Sequence, residues 1–394
     1  MKMLQIYPYD TNYDIMGKRK YTKFISLFLI IGSLLFLTIQ GPHWGIDFQG
    51  GTEMIVHFNE EVTDQEVREA AESIGLSDAV VQRFGSAAER RFLVQTQDVS
   101  VVDQTVVDAI NDQLEGLGDY ERGVWNSEQP DRMDLRFTEL KDLEEIEAAV
   151  LAAGLHRVSV ESMGQAEEAF YLLRFQDLQN IIRTGFNDFF GERFSESGGL
   201  ERLETVGPRA GEQLRTDGML AMFFALLAIL AYIWFRFDTR YSPGAVAALA
   251  HDITIAMGLF IVLDIEISLP IVAALLTIIG YSLNDTIVVF DRIRENMESA
   301  GTRSVEEITN EAINQTMSRT LVTSFTTLLA VVSIAVIATG LIQDFAVALI
   351  IGIVVGTYSS VFVASPVMLK MDEFLKTRQK AQEMLDKAES TDGL

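Results

Sequence analysis

Six stretches almost free of charge interrupt an otherwise polar chain, at residues 24–39, 218–235, 244–263, 268–290, 320–341 and 345–369. A helix needs about 20 residues to cross a hydrocarbon core roughly 30 Å thick, and most of these stretches reach that length. Each therefore predicts a membrane-spanning helix, with spans expected at 24–40, 218–236, 244–263, 268–291, 318–341 and 345–369. The first stretch follows Lys18, Arg19, Lys20 and Lys23 and so also has the charged entry of a secretory signal. Its exit differs from one: Thr38-Ile39-Gln40-Gly41-Pro42 presents no small-x-small cleavage site, and Trp44 stands where an interfacial aromatic anchor stands. The expectation is an uncleaved anchor.

Between the first and second spans the pattern shortens to that of a water-soluble α+β domain. It predicts a strand from Met54 to Phe58, a helix from Thr63 to Ile74, strands from Ala79 to Phe84 and from Arg91 to Gln95, and a helix from Val101 to Leu117. The pattern then recurs at one constant offset. Met54 falls on Met133, Phe58 on Phe137, Glu66 on Glu145, Ala70 on Ala149 and Gly75-Leu76 on Gly154-Leu155. Further on, Gly85, Ala87 and Glu89 fall on Gly164, Ala166 and Glu168, Leu93 on Leu172, and Gln97-Asp98 on Gln176-Asp177. Such a match without gaps implies a tandem duplication. Each copy has the element order of a ferredoxin-like unit, so two modules are expected at about 52–128 and 131–206. Helices on one face of each sheet leave the other free, either to bind a ligand or to pack on the neighbouring module.

Composition and charge orient this arrangement. The 394 residues are 48% hydrophobic and carry a net charge of −25. Lys and Arg gather at alternate span ends: Lys18 to Lys23, Arg236 with Arg240, Arg292 with Arg294, and Lys370 with Lys376. The opposite turns carry Asp264, Glu266 and Asp344. The positive-inside rule then makes segments 1–23, 292–317 and 370–394 cytoplasmic and places 41–217 in the periplasm. Most of the surplus negative charge lies in 41–217, which argues against a nucleic-acid partner, because phosphate binding depends on Lys and Arg. An acidic surface there suits solubility or a salty habitat better than a specific basic ligand. With no cysteine in the chain, this domain is held by its core alone.

The candidate chemistry lies inside the membrane. A carboxylate at that depth costs at least ~2.5 kcal/mol, so Asp285, between Ile278-Ile279 and Ile287-Val288-Val289, requires a reason. Thr277, Tyr281, Asn284 and Asp285 share one helix face, and Thr316, Arg319, Thr323 and Thr327 form a comparable stripe on the next helix. Asp285 and Arg319 both lie toward the cytoplasmic side of this hairpin, where desolvation and the guanidinium push the acid in opposite directions. That competition suits a proton carrier; a static ion pair that fixes helix packing is the alternative. His251 and Asp252 form a weaker candidate that interfacial anchoring would also explain, and Asp291, Arg292 and Arg294 read as orientation determinants. There is no G-x-x-x-x-G-K-[ST] loop and no metal-ligand or nucleophile constellation, so neither a cofactor nor enzymatic chemistry is expected.

Three stretches carry a family resemblance: Gly45-Ile46-Asp47-Phe48-Gln49-Gly50-Gly51-Thr52, the run from Gly280 to Arg292 containing Tyr281, Asn284 and Asp285, and Ser318-Arg319-Thr320. Together with six spans they resemble the SecF side of the SecD/SecF family of protein-export membrane proteins, over nearly the whole chain. The resemblance implies an inner-membrane protein whose six helices form half of a resistance-nodulation-division type bundle, completed by SecD. It further implies work at the SecYEG channel, with a YajC-type subunit as a possible companion. There the proton motive force would help draw unfolded preprotein across after the SecA motor has acted. Asp285 and Arg319 match the family's proton-path residues. Gly45, Asp47, Gly50 and Gly51 match a motif read as structural, shaping the backbone where the chain enters its first strand. The family pattern leads one to expect a single external module where the repeat predicts two. A subunit of a small-molecule efflux permease and a passive translocon scaffold are the competing readings.

Overall fold

The computed structural model describes residues 13–76, 78–85, 87–97, 104–126, 129–153, 158–163, 169–175, 178–194 and 199–392. The chain divides into two compact units, Met1–Gly45 with Thr216–Leu394, and Ile46–Arg215. In chain order, α1 (Arg19–Ile39) is followed by a single helical turn, α2 (Ile46–Gln49), then β1 (Gly51–His57), α3 (Asp64–Ser73), β2 (Val80–Phe84) and β3 (Arg91–Thr96). Next come α4 (Gln104–Glu115), β4 (Tyr120–Asn126), β5 (Gln129–Phe137), α5 (Leu143–Ala152), β6 (Val158–Met163), β7 (Phe170–Phe175), α6 (Leu178–Phe190) and β8 (Leu200–Val206). The remainder is helical: α7 (Pro208–Arg236), α8 (Ser242–Val262), α9 (Leu269–Glu298), α10 (Val305–Ile337), α11 (Leu341–Ser359), a π-helical turn at Ser360–Ala364, and α12 (Ser365–Asp392).

The α+β unit contains two four-stranded sheets, in the orders β2-β3-β1-β8 and β4-β5-β7-β6, with every pairing antiparallel. Both are ferredoxin-like, but neither is built from a contiguous stretch. The expected modules at about 52–128 and 131–206 are corrected here: the final helix and strand of each repeat are exchanged. β4, last strand of the first repeat, lies beside β5, first strand of the second, and β8 fills the vacant edge of β1. The reason is local. β4 ends at Asn126 and β5 begins at Gln129, a separation that suits a tight hairpin and leaves no length to carry β4 back to β1. The repeat positions Gly154-Leu155, Gly164, Ala166, Glu168, Gln176-Asp177 and Asp98, and the expected helix start at Val101, lie outside the described residues.

The hydrophobic cores record the same exchange. Met54, Val56, Phe58, Val67, Phe92 and Val94 of the first repeat pack with Ile182, Phe186, Phe190, Phe194 and Leu200 of the second. Conversely Val107, Ile110 and Leu114 of α4 pack with Met133, Leu135, Phe137, Ile146, Val150, Tyr171 and Leu173. Phe58 is fully buried and meets Phe92, Phe190 and Phe194 at ring-centroid distances of 4.7 to 5.8 Å. Helix α3 starts at a reciprocal capping box: the Glu66 amide donates to Thr63 Oγ1, and the Thr63 amide to Glu66 Oε2 at 2.8 Å. The Thr63 amide, with help from Arg193, holds the Glu66 carboxyl below the usual carboxylate range. Arg193 lies 3.0 Å from Glu66 Oε1 and so ties the start of α3 to the end of α6, one repeat to the other.

Helices of membrane length are six in number among the described residues: Met16–Ile39, Arg209–Arg236, Ser242–Val262, Leu269–Glu298, Val305–Ile337 and Leu341–Met384. Five of them, all but Ser242–Val262, run well past the spans expected from hydropathy. α9 continues to Glu298 and α10 already begins at Val305, so most of the expected loop 292–317 is helical. A 33-residue helix measures about 50 Å at 1.5 Å per residue, well beyond a hydrocarbon core of roughly 30 Å. The extension is polar and is held by helix chemistry rather than by lipid. Ser304 and Glu307 form a second capping box, Arg292 donates to Gln315 Oε1 at 2.5 Å, and Arg303 pairs with Glu311 at 2.5 Å.

The exchange has a consequence for fragments. Residues 102–176 contain one complete sheet with both of its helices, whereas residues 52–128 contain three strands of one sheet and a single strand of the other. The first fragment is expected to melt cooperatively by circular dichroism and to give dispersed amide NMR signals. The second is expected to lack a cooperative transition, although hydropathy would favour the two equally.

Candidate functional site

The residues singled out by the polar stripes divide by where they face. Asp285 is buried, with 9% of its surface exposed, and the Asn284 side chain stands beside its carboxyl. Asn284, Tyr281, Thr277, Arg319 and Thr323 are exposed on the outer surface of this bundle, and Thr327 is half-buried. Thr277 Oγ1 donates to the Ala273 carbonyl, Thr323 to Arg319 and Thr320, and Thr327 to the Thr323 carbonyl at 2.9 Å. One hydroxyl contact joins the two helices of the hairpin, between Tyr281 and Thr327 at 3.4 Å. Arg319 lies within electrostatic reach of Asp285 without closing an ion pair on it. The structure therefore brings the two stripes onto one side of the α9–α10 hairpin. It buries the acid there and leaves the cation exposed.

On the other side of α9 lies a cluster that the stripe argument passes over. Asp252 and His251, at 1% and 3% exposure, sit halfway along α8 and not at an interface. His251 Nδ1 is 2.8 Å from Asp252 Oδ1. Asp252 Oδ2 accepts hydrogen bonds from Ser282 of α9 at 2.5 Å and from Ser359 of α11 at 2.6 Å. His251 Nε2 meets Ser26 Oγ of α1 at 3.2 Å, and the Tyr358 ring stacks on the imidazole with centroids 6.0 Å apart. Three helices thus meet at one carboxyl group, and α1 joins them through the imidazole. Interfacial anchoring is excluded for this pair, since an anchor must reach the headgroups.

Small residues allow that convergence. A Cβ at Gly352 would lie 2.0 Å from Ile278, and one at Gly356 would lie 3.0 Å from Ser282, so these glycines let α11 lie close against α9. At Gly258 a Cβ would come within 2.3 Å of Ser33, which lets α1 lie close against α8. In the sequence, the signal for this cluster was the coincidence of His-Asp inside an apolar helix with serines at 26, 282 and 359. None of these serines shares a helix with the acid, so periodicity along one helix could not join them.

One end of the bundle is ringed by ion pairs. Arg236 pairs with Asp291 at 2.5 Å, Arg240 and Lys376 both reach the nearly buried Asp372 at 3.0 and 2.8 Å, and Arg19 pairs with Glu306. Asp291 thus holds α7 to α9 and is more than a stop signal. At the opposite end, Asp264 adopts φ 56° and its carboxylate lies 2.5 Å from His43 Nδ1, while Trp44 bridges Ile267.

The glycine motif before β1 separates into two roles. Gly50 and Gly51 have φ of 76° and 129°, a region that L side chains rarely adopt, and a Cβ at Gly51 would lie 2.4 Å from the Thr96 carbonyl oxygen. Gly45 has no such requirement; its amide instead donates to the Ile267 carbonyl at 3.0 Å. Asp47 belongs to the short turn α2 between them.

A bundle of six membrane-length helices around buried acids, carried by the same chain as an α+β unit, is that of a multi-pass membrane protein with a polar working centre. Comparison with known proteins identifies the class further. The family described as protein export membrane protein SecD/SecF, C-terminal, matches residues 191–374, and the SecD/SecF GG motif matches residues 35–62. Protein translocase subunit SecF of Magnetococcus marinus is 38% identical, over 94% of this chain and 95% of its own. The Vibrio alginolyticus protein of the same name is 36% identical, over 94% and 93%. The crystal structure of SecDF, a translocon-associated membrane protein from Thermus thermophilus, superposes with a TM-score of 0.66 at 28% identity, covering 93% of this chain and 40% of that one. SecDF in a super-membrane-facing form matches at a TM-score of 0.54 and 30% identity, covering 96% and 40%. This chain belongs to the SecD/SecF family of protein-export membrane proteins, and is a multi-pass protein of the bacterial inner membrane. It spans 40% of the SecDF polypeptide.

A substitution separates the glycine roles. Gly51→Ala is expected to cost about 1–3 kcal/mol through forced backbone strain, read as a lowered melting transition of the α+β unit. Gly45→Ala should leave that transition unchanged, because the contacts its Cβ would make are ordinary ones.

Proposed function

We propose that this chain acts as the SecF-type subunit of a protein translocase. In this reading it pairs with a SecD-type partner beside the SecYEG channel and uses the proton gradient to draw unfolded preprotein to the periplasmic side. One observation carries the proposal. Asp285 is buried at membrane depth beside a polar stripe, Tyr281, Asn284, Arg319 and Thr323, that this chain leaves uncovered. A polar stripe facing lipid is costly, so a second set of helices must cover it. The match to 40% of a SecDF chain points to SecD as the source of those helices.

The mechanism follows from the charges. With a proton on Asp285 the attraction to Arg319 vanishes; without it, the guanidinium is drawn toward the carboxylate. A proton biases a conformational equilibrium only if the two arrangements bind it unequally, and the presence or absence of Arg319 near the acid supplies that difference. Moving one charge through 100 mV releases ~2.3 kcal/mol, so a few protons suffice to move a domain. This path needs no nucleotide, and a YajC-type subunit would be a further companion rather than a component of it.

Orientation completes the reading: both termini and the ring of Arg and Lys ion pairs are cytoplasmic, and the α+β unit is periplasmic. The two free sheet faces of that unit are then the surfaces available to preprotein. On one of them Phe170 and Met163 are paired neighbours, with Arg136 lying 4.9 Å over the Phe170 ring.

Two experiments check these assignments. Asp285→Asn is expected to abolish proton-dependent export while leaving the complex assembled, as judged by co-purification with the SecD-type partner. Undiminished export by that variant rejects the proton role, and indifference of the normal protein to an ionophore would favour a scaffold. Because the chain has no cysteine, single introduced cysteines report sidedness. Glu60→Cys should react with a membrane-impermeant maleimide in intact spheroplasts, and Glu383→Cys should react only after lysis.

A further inference from the structure

The bundle holds a second buried acid that the Asp285 mechanism leaves idle. Asp252 receives three donors and no permanent cation: the His251 imidazole on Oδ1, and the Ser282 and Ser359 hydroxyls on Oδ2. The titratable groups facing it are His251 from its own helix and, beyond the imidazole, Tyr358 of α11. Helices α1 and α9 contribute only the hydroxyls of Ser26 and Ser282. Burial favours the neutral form of such a carboxyl and the three donors favour its charged form, so the two protonation states compete at this position.

The same network leads outward. A cavity of about 1540 Å³ opens at the end of the bundle that bears the ion pairs, and its lining includes Lys20, Lys23, Arg303, Lys370 and Ser26. Ser26 therefore touches two environments. The residue lines the cavity, and its hydroxyl lies 3.2 Å from His251 Nε2 and 3.1 Å from the Tyr358 hydroxyl, which itself donates to the Thr22 carbonyl at 2.9 Å. From the cavity to Asp252 the path is continuous: Ser26 hydroxyl, imidazole Nε2, imidazole Nδ1, carboxylate Oδ1. Immediately after Ser359 the helix widens into the π turn Ser360–Ala364, an irregularity often found where a helix carries function.

We propose that Asp252 is a second proton-binding site of the bundle, loaded from this cavity through Ser26 and His251. Ser26 takes a proton from cavity water and passes its own to His251 Nε2, while His251 hands the Nδ1 proton to Asp252 Oδ1. The bonds balance. Water loses one proton, the carboxylate becomes a neutral acid, and serine and imidazole end neutral, the ring having changed tautomer. Unloading reverses each transfer. The use of this site in transport rests on the proton-driven reading above; the existence of the site does not.

The test uses the full-length chain with its SecD-type partner in lipid nanodiscs, labelled with ¹⁵N-histidine. The four histidines are resolved by comparison with His251→Gln. Across a pH titration, the His251 signals are expected to change from the Nδ1–H to the Nε2–H tautomer. Over the same interval, an infrared carbonyl band of a protonated carboxyl should appear that is missing in Asp252→Asn. If Asp252→Asn does not fold, Ser282→Ala with Ser359→Ala decides. Removing two donors to the charged form should raise the midpoint of the band by about one pH unit, and an unmoved midpoint overturns the proposal. So does a His251 that keeps one tautomer, with no Asp252-dependent band, wherever the protein remains folded. Repeating the titration in Asp285→Asn separates the two readings. A band that persists while export is lost supports both, whereas loss of export without any Asp252 band refutes this one alone. Normal export with the band present refutes the role of Asp285 and keeps the site.

Discussion

A carboxyl group surrounded by apolar helices has to be met by donors or surrender its charge, and the helical unit of this protein is arranged around that constraint. At Asp252 it is met from within the chain, by hydroxyl and imidazole groups converging from three neighbouring positions. At Asp285 it is met only in part: Asn284 stands beside it and Arg319 stands off. The first acid is therefore enclosed by hydrogen-bond donors, while the second lies beside an exposed polar stripe.

The packing details serve that difference. Gly258, Gly352 and Gly356 permit helices to approach closely enough for short side chains such as serine to span the gap between them. Larger residues there would separate α1 from α8 and α11 from α9, and so pull the donors of the Asp252 network apart in a dry interior, where an unsatisfied carboxylate is costly. On the α9–α10 face the polar groups are instead left outward, with threonine hydroxyls parked on their own helix carbonyls. A surface that neutralises its own donors while exposing a tyrosine, an asparagine and an arginine fits burial against another protein better than contact with lipid.

The α+β unit solves a separate problem, how to place two sheets in one short segment of chain. Exchange of the terminal helix and strand between repeats means that each sheet takes its strands from both repeats. It also makes the Glu66–Arg193 pair and the Phe58 cluster contacts between repeats. Cooperation of this kind couples the two halves of a domain whose proposed work is to move as one. It also reconciles the repeat with a family in which a single external module was expected, because the unit is one interlocked body rather than two beads.

Read as a string, the chain determined the six spans, the existence and order of the strands and helices, the internal repeat and the isolated carboxylate at Asp285. These follow from local periodicity and from the cost of a single charge, which need no knowledge of neighbours. The tertiary structure decided what depends on contacts between distant segments: the exchange of β4 and β8, the outward face of the Tyr281 stripe, and the convergence of Ser282 and Ser359 on Asp252 and of Ser26 on His251. Ser26 and His251 are 225 positions apart, yet their polar atoms are 3.2 Å from each other. Serine alone in an apolar helix is unremarkable. It becomes part of a site only when close helix packing brings a buried acid within reach of its hydroxyl.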